Sequence, residues 1–343
     1  MAPKGVISFV YWIDSHFNLS YAASPYGGAM QLFSETITIV LPIFLVIGLG
    51  TLLKQFKLVD DAFLKLTNRL VYVVFLPLLL FYKIGTADFS IFFNGPLVVG
   101  SSLIIVLAFI LTYLFTGWRQ YTAPVRGSFC QGSFRGNLAY IGLAICLNAY
   151  GEDGLTKAGI LMGFLVPVLN LFAILALLLP HHGNDKDNAP SLILQTILNP
   201  LIIASFLGII WSYWNLPIPL IIDRSLEITT GLALPLALLA IGGGFSLERL
   251  KGDLKLAGIA STIKLVLLPL LALLLLIPLG VSGTDLGIGI LMAGTPAATA
   301  TYIMAQQMRG DAELAGSIVM LSTLASAFSY TILLLLFKWS GLL

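Results

Sequence analysis

Charge is scarce in this chain. Aspartate, glutamate, lysine and arginine make up 10% of its 343 residues, against about 25% in a soluble globular domain. Apolar residues make up 58%, and charge is missing from several windows of about 20 residues, the length that spans a hydrocarbon core. A soluble domain is excluded, and an all-α polytopic membrane protein is implied. Alternation of polar and apolar residues is weak, which argues against a barrel. Histidine and cysteine are rare as well, at three and two residues. No HExxH, no pair of deep aspartates and no serine–histidine or cysteine–histidine arrangement falls in an apolar segment. An intramembrane enzyme is therefore disfavoured, and neither a metal nor another cofactor is expected. His181, His182 and Asp185 read as a solvated loop. Cys130 and Cys146 lie on one expected helix, about 24 Å apart at 1.5 Å per residue, too far to bridge. The net charge of +2 singles out no partner, and no nucleic acid is expected.

What is present divides into ten apolar segments. Expected helices 1 to 5 cover about 33–54, 67–84, 96–117, 128–149 and 155–179. Expected helices 6 to 10 cover about 191–213, 226–245, 254–279, 285–307 and 314–338. Residues 1–31 form an N-terminal extension, interfacial or signal-like, whose apolar run from Gly5 to Ile13 is too short to span. Residues 32–179 and 191–343 form two halves, joined by a polar loop at 180–190. When the connections are assigned to alternating sides, eleven basic residues, among them Lys54, Lys65, Arg69 and Arg309, fall on one side. Five, among them Lys83 and Lys157, fall on the other. The positive-inside rule puts the richer side in the cytoplasm of a plasma or inner membrane, with both termini facing outward.

A shift of 158 residues aligns Pro42 with Pro200, Gly50 with Gly208, Pro77 with Pro235, Gly85 with Gly243 and Gly136 with Gly294. Each copy holds five segments, and an odd number inverts the second copy across the membrane. Inverted repeats are the architecture of carriers that open to either side in turn. Glycine and proline cluster at Gly136 and at Gly294-Thr295-Pro296, so helices 4 and 9 are expected to break there. Breaks at membrane depth are tolerated inside protein or beside a water-filled cavity. Half-helix N-termini then offer partial positive charge, with Asn137, Thr299 and Thr301 at the same depth.

Two cations also lie deep, Arg135 in helix 4 and Lys264 in helix 8. All sixteen carboxylates fall in loops or near helix ends; the nearest candidates, Glu35, Glu227 and Asp285, stand at helix starts. Unpaired charge at bilayer depth marks function, and an anionic substrate would complete the balance. Lys264 has a second reading, snorkelling or capping freed carbonyls. The lack of deep carboxylates disfavours coupling through a buried Asp or Glu, though sodium or proton coupling stays open.

The order of these landmarks resembles the auxin efflux carrier family in its bacterial, permease-like branch, over about residues 36–338. Pro42, Gly48, Gly50 and Pro77 are similar to the family's opening helices, and Gly136-Asn137 with Gly142 to its first crossover. Asn170 is similar to its fifth-helix asparagine. Asn199-Pro200, Ala233–Leu238, Lys264 with Pro269, and Pro296, Tyr302, Ala305 and Ser322-Thr323 follow in order. The resemblance implies ten helices in two inverted repeats, with helices 4 and 9 crossing at the site. It implies a scaffold of helices 1, 2, 6 and 7, often homodimeric in membrane lipid, beside an elevator-like transport domain of helices 3–5 and 8–10. Substrates would be small organic anions, carboxylates or auxin-like acids. The breaks, the deep cations and the resemblance together give Arg135, Gly136, Asn137, Asn170, Lys264, Thr295, Pro296, Thr299 and Thr301 as the expected binding residues, Arg135 on its depth and charge and not on the resemblance. A sodium-coupled carrier of bile-acid-like or inorganic anions, and a membrane receptor or sensor, are the alternatives.

Overall fold

The computed structural model of the chain describes residues 25–181, 198–245 and 252–340. Most of the N-terminal extension, nearly all of the central loop and the start of expected helix 6 lie outside the described residues. Among the described residues the fold is all helical and has no strand. Helices α1 (Pro25–Gln55), α2 (Asp61–Gly85), α3 (Gly95–Trp118), α4 (Ala123–Phe134) and α5 (Leu138–Leu178) make up the first half. Helices α6 (Pro200–Tyr213), α7 (Leu220–Gly243), α8 (Leu254–Leu276), α9 (Gly283–Ala293), α10 (Thr299–Gln307) and α11 (Ala312–Ser340) make up the second. Seven of these are long and apolar enough to cross a membrane, and α6 and α9 are shorter apolar helices.

Local chemistry sets many of the boundaries. Asp60, Asn94, Asn199 and Asp253 each accept a backbone N–H of the first turn that follows, at 2.7–3.0 Å, as N-caps do. Helix α1 begins earlier than the expected start near residue 33, with Pro25 in a first turn that suits it, and it runs on through the internal Pro42 to Gln55. Helix α2 carries a π-helical turn at Val71–Phe75 and α8 another at Ile263–Leu267. Each ends two residues before a proline, Pro77 or Pro269, whose missing N–H interrupts the ladder. In α5, Gly151 leaves helical dihedrals (φ 65°, ψ −156°) and joins two helices at a kink. Only glycine takes a conformation of that kind readily.

Helix α6 packs along the second half of α2, and the second half of α7 along α1. The α1–α7 approach is close. A Cβ on Gly242 would meet the Ile47 carbonyl, and the Thr51 hydroxyl donates to the Gly242 carbonyl at 2.9 Å. Small residues allow such contacts between helices in a membrane. The remaining helices pack together around α4, which touches α3, α5, α8, α10 and α11. Phe129 and Phe134 of α4 are fully buried there, while Leu45, Leu111 and Phe328 point outward. Lys157 of α5 pairs with Asp285 of α9 at 2.5 Å, and Asn94 donates to the same carboxylate at 2.7 Å. Lys83 of α2 pairs with Glu152 of α5 at 2.9 Å. Cys130 and Cys146 are buried free thiols.

Candidate functional site

Two interrupted helices meet at the centre of this arrangement. After α4 the chain runs extended through Arg135, Gly136 and Asn137; after α9 it runs extended from Thr295 to Ala298. The two stretches cross antiparallel. The Asn137 N–H donates to the Pro296 carbonyl at 2.8 Å, and the Ala298 N–H donates to the Arg135 carbonyl at 3.0 Å. Gly136 faces Ala297. Gly294 instead caps α9, its N–H bonded to the Ile290 carbonyl at 2.9 Å. Gly136 has no room for a side chain: a Cβ would run into the Thr295 hydroxyl, with the Lys264 ammonium just beyond. Freed backbone groups are thus paired across the crossing, as a low-dielectric setting requires.

The crossing borders a cavity of about 500 Å³. The N-terminal ends of α5 and α10 both reach it, through Leu138–Tyr140 and Thr299–Ala300, and contribute the positive ends of two helices. Arg135 lines it. One guanidinium nitrogen, Nη2, donates to Asn170 Oδ1 at 2.7 Å. The other, Nη1, is buried and has no partner among the described residues. Asn137 caps α5, its Oδ1 accepting from the Tyr140 N–H at 3.3 Å, and the Tyr140 hydroxyl reaches Asn68 at 3.4 Å. Lys65, Asn68, Arg69 and Tyr72 of α2 supply the facing wall, and no carboxylate lines the cavity. A concave site with cations, amides and helix N-termini and no fixed anion favours an anionic guest.

A family model described as Membrane transport protein matches residues 36–334. The chain belongs to this family. With seven helices able to cross a bilayer, this transporter is an integral, multi-pass membrane protein. It is similar to an uncharacterized transporter of Methanothermobacter thermautotrophicus, 24% identical over 300 residues, covering 87% of this chain and 97% of the relative. It is also similar to a proposed malonate transporter of Rhizobium meliloti, 27% identical over 326 residues, covering 90% and 98%.

The transporter's fold divides the residues expected at the site into two sets. Arg135, Gly136, Asn137, Asn170 and Thr299 line the cavity together. Lys264, Thr295, Pro296 and Thr301 do not. Lys264 is 1% exposed, and its ammonium donates to the Ala293 carbonyl at 2.5 Å and to the Thr295 hydroxyl at 3.4 Å. Of the two sequence readings of this lysine, the geometry matches carbonyl capping. Thr295 is spent on the Met292 carbonyl at 2.9 Å. Pro296 serves through its carbonyl. Thr301 is fully buried, and its carbonyl accepts the Gln131 amide at 3.1 Å.

The expected list omitted the α2 wall and Asn199. The signal was in the sequence: Lys65, Asn68, Arg69 and Tyr72 recur at i, i+3, i+4 and i+7, one face of a helix. That polar stripe opens an otherwise apolar segment.

Access to the crossing is one-sided. Asn137 and Thr299 also line a second cavity of about 690 Å³, bordered by Lys54, Asp61 and Glu313. A third, of about 380 Å³, lies at the opposite end between α1, α2, α5 and α7, bordered by Lys83, Glu152 and Glu227, and reaches no residue of the crossing.

Proposed function

We propose that this transporter is a secondary carrier of small organic anions, with carboxylates as the cargo class. The observation that carries the reading is Arg135: a part-buried side chain fixed by Asn170 through Nη2, whose buried Nη1 has no partner among the described residues, beside a cavity that holds no carboxylate. A buried cation without a counter-ion is costly, and a bound carboxylate removes that cost. The name of the Rhizobium meliloti relative, a proposed malonate transporter, agrees with this cargo class.

The chain crosses the membrane ten times in two inverted five-helix repeats. Gly151 supports this count, because 41 residues of α5 would reach about 60 Å, twice a hydrocarbon core. Pairing α4 with the start of α5, and α9 with α10, then gives two broken crossings at corresponding places. Helices α1, α2, α6 and α7 form the scaffold and the dimer contact, and α3–α5 with α8–α11 move as an elevator. The face bearing Lys54, Lys65 and Arg69 is cytoplasmic and both termini are outside, so the one-sided access corresponds to a state open inward. No resident cofactor is needed for this cycle.

Counterflow in proteoliposomes tests the reading. Vesicles holding the purified chain and unlabelled malonate should accumulate labelled malonate, and Arg135→Gln should abolish accumulation while the protein stays monodisperse. Equal accumulation by the variant and the parent would refute it.

A further inference from the structure

Lys264 is the deep charge that the proposed cargo does not use. It lies on the π-helical turn of α8, 1% exposed, behind the crossing. Its ammonium donates to the carbonyl of Ala293, the last residue of α9, at 2.5 Å and to the Thr295 hydroxyl at 3.4 Å. It also stands against the other broken stretch, because a Cβ on Gly136 would lie 3.1 Å from the Lys264 nitrogen. A small cavity of about 30 Å³ adjoins it, lined by Ser101, Gly136, Lys264 and Ala293 among others, and no carboxylate lines it. Ser101 is 6% exposed, and its hydroxyl has no partner among the described residues. Two engaged oxygens, a third on the wall of the same cavity and the negative end of α9 have the chemistry of a pocket for a small monovalent cation.

We propose that the Lys264 ammonium is a built-in cation: it fills the place, at the end of a broken helix, where a sodium-driven carrier binds its ion, so that transport by this chain needs no alkali cation. In carriers with interrupted helices, unwound carbonyls and half-helix C-termini hold the coupling ion. Here the chain supplies the positive charge itself, on a tether. Capping alone does not account for a lysine. A freed carbonyl needs one donor, and a neutral amide supplies one without burying a charge. The ammonium brings a full charge and three donors. Two have acceptors in Ala293 and Thr295, and the small cavity gives room for one water between the third and the Ser101 hydroxyl. A sodium ion would be bound and released with each cargo, whereas this cation stays with the protein throughout. The assignment goes beyond the choice of cargo, and its melting test involves none.

The test uses the full-length protein in choline buffer. Exchanging choline for sodium should move the parent's melting temperature by less than about 1 °C and leave malonate counterflow at the same rate. Lys264→Met keeps most of the side chain and drops the charge. It should melt at least about 4 °C lower and lose counterflow. Lys264→Ala opens the pocket. Propylammonium, the group this change deletes, should raise the melting temperature of Lys264→Ala by about 2–4 °C at about tenfold its Kd. Propanol, neutral and of similar size, should not. Where Lys264→Ala fails to fold, Lys264→Met and the sodium exchange decide. Sodium-dependent melting or counterflow of the parent, counterflow by Lys264→Met at the parent's rate, or equal effects of propylammonium and propanol, none included, would overturn the proposal. If the parent shows no malonate counterflow, the cargo reading fails, and the melting comparisons still decide the role of Lys264.

Discussion

Asn170 offers a perturbation whose two readouts should move in opposite directions. Its Oδ1 accepts from Arg135 Nη2 at 2.7 Å, and the residue is 9% exposed. Asn170→Asp places a carboxylate against a guanidinium that now has none. At about 4 Å and an effective dielectric of about 20, the added attraction is about 4 kcal/mol before desolvation, so the variant should melt at a higher temperature than the parent. The same carboxylate takes the place of the cargo. A substrate carboxylate must then compete with a fixed neighbour, and the expected loss is about 2–3 kcal/mol, or ~30–150-fold in Kd. Asn170→Ala removes the acceptor without adding charge. It should lower both quantities, the stability by about 1.5–3 kcal/mol because one half of a charged hydrogen bond is left buried. The assay is a melting curve of the purified protein with and without malonate, read with counterflow. If Asn170→Asp kept the parent's malonate affinity, the guanidinium would not be the anion's partner, and the argument from its unpaired nitrogen would fail.

Gly136→Ala should destabilise by about 1–3 kcal/mol and stop counterflow, since its Cβ would run into the Thr295 hydroxyl; adding Thr295→Ala should recover part of the melting temperature. Asp285→Ala should cost about 2–3 kcal/mol, because it strands Lys157 and Asn94, while malonate Kd, measured below the melting point, should change by less than about threefold. Glu152→Gln breaks the pair with Lys83 at the border of the 380 Å³ cavity between α1, α2, α5 and α7. With Glu152 66% exposed, the stability change should stay under about 1 kcal/mol. Labelling of Ala144→Cys, a buried residue lining that cavity, by a membrane-impermeant maleimide should nevertheless speed up; an unchanged rate would show that the pair does not limit access to the cavity.

The parts of this molecule that were legible in the sequence are those written in residue chemistry. Gly136 and Pro296 mark the two breaks because glycine and proline change what the backbone can do. Arg135 and Lys264 stand out because charge is rare at such depth. The register of the crossing was not legible. Matching Gly136 to Gly294 aligns equivalent landmarks of the two halves and does not say which residues meet; the bridge joins Gly136 to Ala297, and nothing in the residue types says how many residues each extended stretch takes. The roles of the two deep cations were legible only as a pair of possibilities, because depth says nothing about which acceptors a long side chain meets. The α2 wall was written plainly at helical spacing. It was read as loop charge for orientation, and that reading hid its second use.

Charge placement at the crossing follows one physical pattern. Two helices, α4 and α9, end there and two begin, so the crossing holds two negative helix ends and two positive ones. At α9 the negative end receives a cation, because Lys264 donates to the carbonyl of Ala293, its last residue; at α4 Arg135 caps the helix through its backbone N–H to the Gln131 carbonyl, and its guanidinium goes to Asn170. The positive ends, at Leu138 and Thr299, both border the 500 Å³ cavity, which no carboxylate lines; Asp61 and Glu313 border only the adjoining cavity that Thr299 shares. The two cations then differ in what they have left. Lys264 gives hydrogen bonds to Ala293 and Thr295 and sits behind the crossing, sealed from the cavity. Arg135 lines the cavity, gives one nitrogen to Asn170 and leaves the other buried without a partner among the described residues. On the proposed cargo, an anion arriving there would meet two helix N-termini and a guanidinium already held by Asn170. Preorganisation of this kind costs little on binding, and under that proposal one deep cation serves structure and the other recognition.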